Sequence, residues 1–146
     1  MSLTDWLKNG WLRQHKPDRS EIVELFEVTR RDLHDSRTRG LSDDWRFGIA
    51  YNAALQISRA ALQASGYEVP KGGSQHLRVV ESLRFTIGAD QSVIDRFDVF
   101  RRKRGTAVYD RVGAITRTDA DEMTKLAADL YERVLNFMQA NHPKLI

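Results

Sequence analysis

Residues 42–66 read SDDWRFGIAYNAALQISRAALQASG, and the fold follows from this stretch. Ser42 suits a helix N-cap, and Asp43 and Asp44 set two carboxylates at the positive end of the helix dipole. Gly66 supplies the stop. At 1.5 Å per residue such a helix is about 36 Å long. It is apolar on more than one side, through Trp45, Ile49, Tyr51, Ala53, Ala54, Leu55, Ile57, Ala60, Ala61 and Leu62. A helix of that kind needs cover from several neighbours, which places it in the middle of a bundle. Its alanines permit close helix approach, and the surplus apolar surface also suits a seam between two copies.

Outward from this helix, apolar residues recur at three-and-four spacing and strand-like alternation is almost absent. Upstream, Asp18 with Glu21 resembles a capping box, and Ile22, Leu25, Phe26 and Leu33 share one face of a helix ending near Ser36. Downstream, residues 66–73 carry the breakers of a loop, and Ser74 caps a helix whose inward face is Leu77, Val80, Leu83, Arg84 and Ile87. Asp90 caps the next, in which Val93, Phe97, Phe100 and Arg104 fall on one stripe. An irregular stretch from Gly105 to Arg117 precedes a last helix starting at Thr118 with Asp121. That helix carries Met123, Leu126, Ala127, Leu130, Tyr131, Val134, Phe137 and Met138 and is closed by Pro143. The expectation is an all-α fold, a four- to five-helix up-and-down bundle over residues 18–146. Residues 1–17 form an amphipathic segment, with Leu3, Trp6, Leu7, Trp11 and Leu12 expected to pack across the bundle or a partner.

The 146 residues contain no cysteine, which excludes disulfides, thiolate nucleophiles and cysteine-based metal sites. The first residues lack a basic region followed by an apolar run, and no apolar run reaches membrane-spanning length, so a cytoplasmic location is expected. No metal or cofactor site is expected. Asp43-Asp44 and Asp119, Asp121 and Glu122 read as helix N-terminal carboxylates, His15 and His34 as surface positions, and His142 as part of the tail. Gly72-Gly73-Ser74 lacks the Lys-Ser/Thr pair and preceding strand of a phosphate loop.

Lys and Arg total 23 against 20 Asp and Glu, a formal charge of +3. The run Arg101-Arg102-Lys103-Arg104 alone carries more positive charge than this surplus. Neighbouring cations repel, and an arginine on the apolar stripe is costly unless an acid or a phosphate compensates it. Two readings stand. Arg101, Arg102 and Lys103 are a solvated face while Arg104 pairs with an acid such as Asp110 or Glu81; or the cations bind RNA phosphate with Arg104 held in a groove. In the second, Gly105 bends the chain so that Arg104 and Tyr109 face one cleft. On an unbroken helix they would stand about 140° apart.

The stretch Arg104-Gly105-Thr106-Ala107-Val108-Tyr109, near the end of a penultimate helix, resembles the Arg-x4-6-His motif of HEPN domains (higher eukaryotes and prokaryotes nucleotide-binding). The preceding Arg-Arg-Lys-Arg, the stretch Trp45 to Leu55 and the stretch Ala61 to Tyr67 are similar to a bacterial HEPN subgroup, and the resemblance spans about Asp18 to Leu145. It implies a helical bundle that forms a homodimer, with two motifs lining one cleft, and a metal-independent ribonuclease, often a toxin paired with a nucleotidyltransferase antitoxin. On that pattern Arg104 holds the scissile phosphate, Arg101, Arg102, Lys103 and Arg111 add RNA contacts, and Asp110 supports them. Gly105 stands where a polar residue is usual and Tyr109 where the histidine belongs. A phenol with a pKa near 10 is a poor base at pH 7, so Tyr109 serves as a hydrogen-bond donor and cleavage is weakened or lost. Arg111 stands where silenced toxins carry the tyrosine that accepts a nucleotide. His76 is a further histidine in reach of the cleft, though an exposed first-turn position is expected for it. The alternative to RNA or nucleotide-phosphate binding is a non-catalytic protein-interaction module, antitoxin-like or regulatory.

Overall fold

The chain folds as an all-α helical bundle. The computed structural model describes residues 1–73, 75–109 and 114–146, with the backbone alone for residues 106–109. In chain order the elements are α1 (Leu3–Lys8), β1 (Arg13–Gln14), α2 (Arg19–Asp35), α3 (Asp43–Ala64), β2 (Tyr67–Glu68), α4 (Gln75–Thr86), α5 (Gln91–Tyr109) and α6 (Arg117–Asn141), then a short 3-10 turn at Pro143–Leu145. The Ser42 hydroxyl accepts from the Trp45 N–H at the start of α3, and Gly66 beyond its end has φ +98°, a conformation only glycine adopts without strain.

α3 is the axis of the bundle and packs against α2, α4, α5 and α6. Ala50, Ala53, Ala54, Ala60 and Ala61 are completely buried, which is how one helix accepts four neighbours. Phe47 lies edge-on to Phe100 at 5.7 Å and Tyr51 edge-on to Phe97 at 5.9 Å, and these pairs lock α5 to α3. α6 contributes Met123, Leu130, Val134 and Met138, all fully buried. A side chain of that size contributes roughly 1.5–3 kcal/mol on burial. Trp45 departs from expectation: it is 67 % exposed, because the first turn of α3 extends past the bundle core.

Residues 1–17 lie on the bundle. Trp6 is buried edge-on to Phe85 at 5.2 Å and packs with Leu12 and Leu62, while the Arg78 guanidinium covers the Trp11 ring at 3.7 Å. β1 and β2 form a small antiparallel ribbon, Arg13 opposite Glu68, where a plain loop was expected at 66–73. Two-residue strands are too short to show alternation; the ribbon is held by its ladder and by the His15 N–H donating to the Gly66 carbonyl at 2.9 Å.

Four boundaries and faces are corrected. Asp18 caps α2 through the Ser20 N–H, and the Glu21 carboxylate accepts from His15 Nε2 at 2.9 Å, so no capping box forms there. On α4 the buried positions are Val79, Val80, Ser82, Leu83 and Thr86; Arg84 is exposed and bonds Gln91. α6 begins two residues early, because Thr116 and Asp119 form a reciprocal capping box in place of Thr118 and Asp121. Finally, α5 runs through Gly105 without a bend. Glycine costs a helix only about 1 kcal/mol, too little to break one held at Phe97 and Phe100. Ser74, Asp110 and Arg111 lie outside the described residues.

Candidate functional site

Asn52, Gln56, Arg59 and Gln63 fall within about 60° of one another at 100° per residue, so a polar stripe runs down one side of α3. A buried carboxylate anchors it. Asp32 of α2, 6 % exposed, accepts from the Asn52 amide at 2.6 Å. The Gln56 amide donates to Asn52 Oδ1 at 3.1 Å, and Arg59 donates to Gln56 Oε1 at 2.9 Å. Each polar group on the stripe is thereby oriented by the one before it, and the relay ends on a guanidinium.

Beside this stripe, α3, α4 and α5 enclose a cleft of about 250 Å³ whose walls include Tyr51, Gln56, Arg59, Gln75, His76 and Arg104. Tyr51 is its floor. The Arg104 guanidinium lies 5.0 Å from the Tyr51 ring centroid, and the Tyr51 hydroxyl is 3.2 Å from His76 Nδ1. Burial pushes the Tyr51 phenol up to about 12, against the pull of Arg104 and Arg101. A phenol held protonated donates to Nδ1, which leaves the proton of a neutral imidazole on Nε2. Arg104 Nε is buried without a hydrogen-bond partner among the described residues. Such a donor costs roughly 1–3 kcal/mol until an acceptor reaches it.

The electrostatics of the cleft favour an anion. His76 is half-buried, and burial, then the charges of Arg104, Arg101 and Arg59, hold its pKa below the ordinary 6.5. It is therefore neutral at pH 7. Between that ordinary value and the lower folded value the unfolded chain holds more protons, so the folded state loses stability as pH falls through this window. An anion in the cleft offsets the three arginines and raises the His76 pKa, so binding takes up a proton and tightens with acidity. The check is the His76 ring titration by NMR with sulfate, whose own charge is constant over the range. The midpoint should lie below 6.5 in the free protein and rise at saturating sulfate; an unmoved midpoint contradicts the linkage.

Of the sequence-predicted residues, the structure brings Arg104 and His76 together and engages Arg101, Arg102 and Lys103 in ion pairs, while the Tyr109 side chain, Asp110 and Arg111 lie outside the described residues. His76 is not the exposed residue expected, because α4 turns it toward Tyr51. Arg101 and Arg102 pair with Asp98 at 2.8 and 3.4 Å, and Lys103 pairs with Asp119 at 2.8 Å. Glu81 pairs with Arg78, so it does not compensate Arg104. With α5 unbroken, position 109 stands about 140° around the helix axis from position 104. Asp43 and Asp121 both pair with Arg46, Asp119 caps α6, and no metal-binding cluster of acids and histidines occurs among the described residues. His34 is exposed as expected, whereas His15 is drawn between Glu21 and Glu68. No helix among the described residues is long and apolar enough to cross a membrane. In comparison with known proteins, no family model matches the chain and no curated protein matches it.

Proposed function

We propose that this chain is a HEPN-like protein that binds the phosphate of RNA or of a nucleotide in the cleft between α3, α4 and α5. The observation that carries this is Arg104 Nε, a buried donor without a partner among the described residues, on the wall of a cleft that also holds the Arg59 guanidinium and the neutral His76 imidazole. A phosphate oxygen supplies the missing acceptor, and arginine suits it because its planar fork donates two parallel bonds. Arg101, Arg102 and Lys103 are engaged by Asp98 and Asp119, so the anion site is narrower than the basic run. Metal-independent cleavage is weak or absent in this reading, since Tyr109 occupies the histidine position. The protein then acts as a binder, as a homodimer or beside a nucleotidyltransferase partner.

Fluorescence anisotropy of a labelled single-stranded RNA tests this. Affinity should fall from 50 to 200 mM salt with a logarithmic slope of about −0.7 for each phosphate engaged, about 2.6-fold for a single phosphate. Undetectable or salt-insensitive binding contradicts the proposal. The exposed Trp45 favours a second reading, a protein-interaction module that docks a partner through the first turn of α3. Salt-insensitive association with a protein and none with RNA would support it.

A further inference from the structure

The cationic cleft does not end at Arg59. Arg59, Gln75 and Val79 line both that cleft and a second opening of about 80 Å³, so the two are continuous. The second opening is built where residues 1–17 lie on the bundle. Trp6 and Leu12 bury against Leu62, which sets β1 beside β2 with Arg13 opposite Glu68, and Lys71 follows in the loop after β2. Three cations, Arg13, Arg59 and Lys71, meet one carboxylate there. That carboxylate is already engaged: Arg13 pairs with Glu68 Oε1, and His15 Nδ1 stands 3.5 Å from Oε2. Arg59 and Lys71 are left without an opposite charge. Arg59 donates to the uncharged Gln56 amide, and neither cation forms an ion pair among the described residues. The relay from Asp32 thus ends on an unneutralised guanidinium at the junction of the two openings. Leu55 in the first and Leu62 in the second lie on one face of α3, about 10 Å apart along its axis.

We infer that this opening is a second phosphate subsite, and that the groove takes a strand of nucleic acid, with one phosphate at Arg104 and the next at Arg59 and Lys71. The inference rests on the phosphate reading of Arg104 for the first of these contacts only. Spacing decides the ligand class. The two phosphates of a diphosphate share an oxygen, which holds them too close together to serve openings about 10 Å apart. Successive phosphates of a strand are separated by a whole ribose, which carries the second from one opening toward the other. The second contact adds affinity because the first has already brought its phosphate near. Lys71 is exposed and acts as a point charge on a flexible stem, so its share of the binding is modest and screened by salt.

The test is calorimetric titration of the full chain with AMP, ADP and adenosine 3′,5′-bisphosphate at one ionic strength, repeated with Lys71→Ala, Lys71→Arg, Arg104→Ala and Lys125→Ala after circular dichroism confirms that each variant is folded. Lys125, exposed on α6 and lining neither opening, is the control for net charge. The bisphosphate should bind about fivefold or more tighter than AMP. Lys71→Ala should remove that advantage while sparing AMP and ADP, Lys71→Arg should retain it, Arg104→Ala should weaken all three ligands, and Lys125→Ala should change none. Equal affinity for the bisphosphate and AMP overturns the second subsite and leaves the Arg104 site standing. An advantage that survives Lys71→Ala, or that Lys125→Ala removes equally well, does the same. An ADP affinity that depends on Lys71 as strongly as that of the bisphosphate overturns the strand as the ligand. Binding that needs Lys71 and not Arg104 overturns the phosphate reading of Arg104 instead, and no binding of any of the three probes overturns both.

Discussion

Arg104→Ala is expected to weaken phosphate and RNA binding by about a hundredfold or more while the protein stays folded. Two hydrogen bonds from a guanidinium to phosphate, at about 1.5–3 kcal/mol each, account for a loss of that size. The fold survives because Arg104 makes no ion pair among the described residues and gives up only its contact over the Tyr51 ring, roughly 0.5–1 kcal/mol. Its buried Nε is a cost that the alanine removes. A second readout separates lost binding from general damage: after burial, Arg104 is the largest influence lowering the His76 pKa, so the His76 midpoint should rise in the variant. Lys103→Ala is the comparison. Lys103 is paired with Asp119, and its removal should change binding far less. Equal losses from the two variants would mean that the cations act as one diffuse face and that Arg104 has no special place.

Phe97→Ala should produce the largest loss of stability, about 3–5 kcal/mol, from lost burial and the cavity left behind. Phe97 is completely buried and meets Tyr51 edge-on, so it supports the floor of the cleft from below. Chemical denaturation measures the loss, and Phe97→Leu should cost distinctly less because it refills most of the volume. Where Phe97→Ala still folds, the Tyr51 to His76 hydrogen bond should loosen and the His76 titration should move with it. A loss below about 1 kcal/mol would place Phe97 outside the well-packed core.

These two positions also show what a sequence can and cannot reveal here. The central place of α3 was legible because Ser42, the paired aspartates and Gly66 mark its ends and its alanines leave no doubt about burial. Phe97 and Phe100 were legible for the same reason, since apolar spacing is a local property. Arg104 stood out as a cation on an apolar stripe. The partner of Lys103 was not legible, because Asp119 meets it only when α6 packs beside α5, whereas Asp98 stands three and four residues before Arg101 and Arg102 on one helix, a local spacing that the sequence does carry. His76 was placed at the surface because the direction of a first-turn side chain depends on how its helix is tilted against Tyr51, a tertiary matter. The stripe of Asn52, Gln56, Arg59 and Gln63 has a plain helical spacing. It was hidden by the apolar majority around it, and listing the polar positions of α3 by angle would have found it. The path of α5 through Gly105 went against a local signal because the packing of Phe97 and Phe100 outweighs one glycine.

Phosphate capture at Arg104 is tested most directly by following the Arg104 Nε–H resonance in a proton–nitrogen NMR spectrum as inorganic phosphate is added. This proton has no acceptor among the described residues, so a bound phosphate should shift it strongly downfield, in step with the His76 ring signals and with one common saturation point. An Arg104 Nε–H signal that stays in place while phosphate shifts Arg102 or Lys103, or shifts nothing, would contradict the assignment of this cleft as the phosphate site.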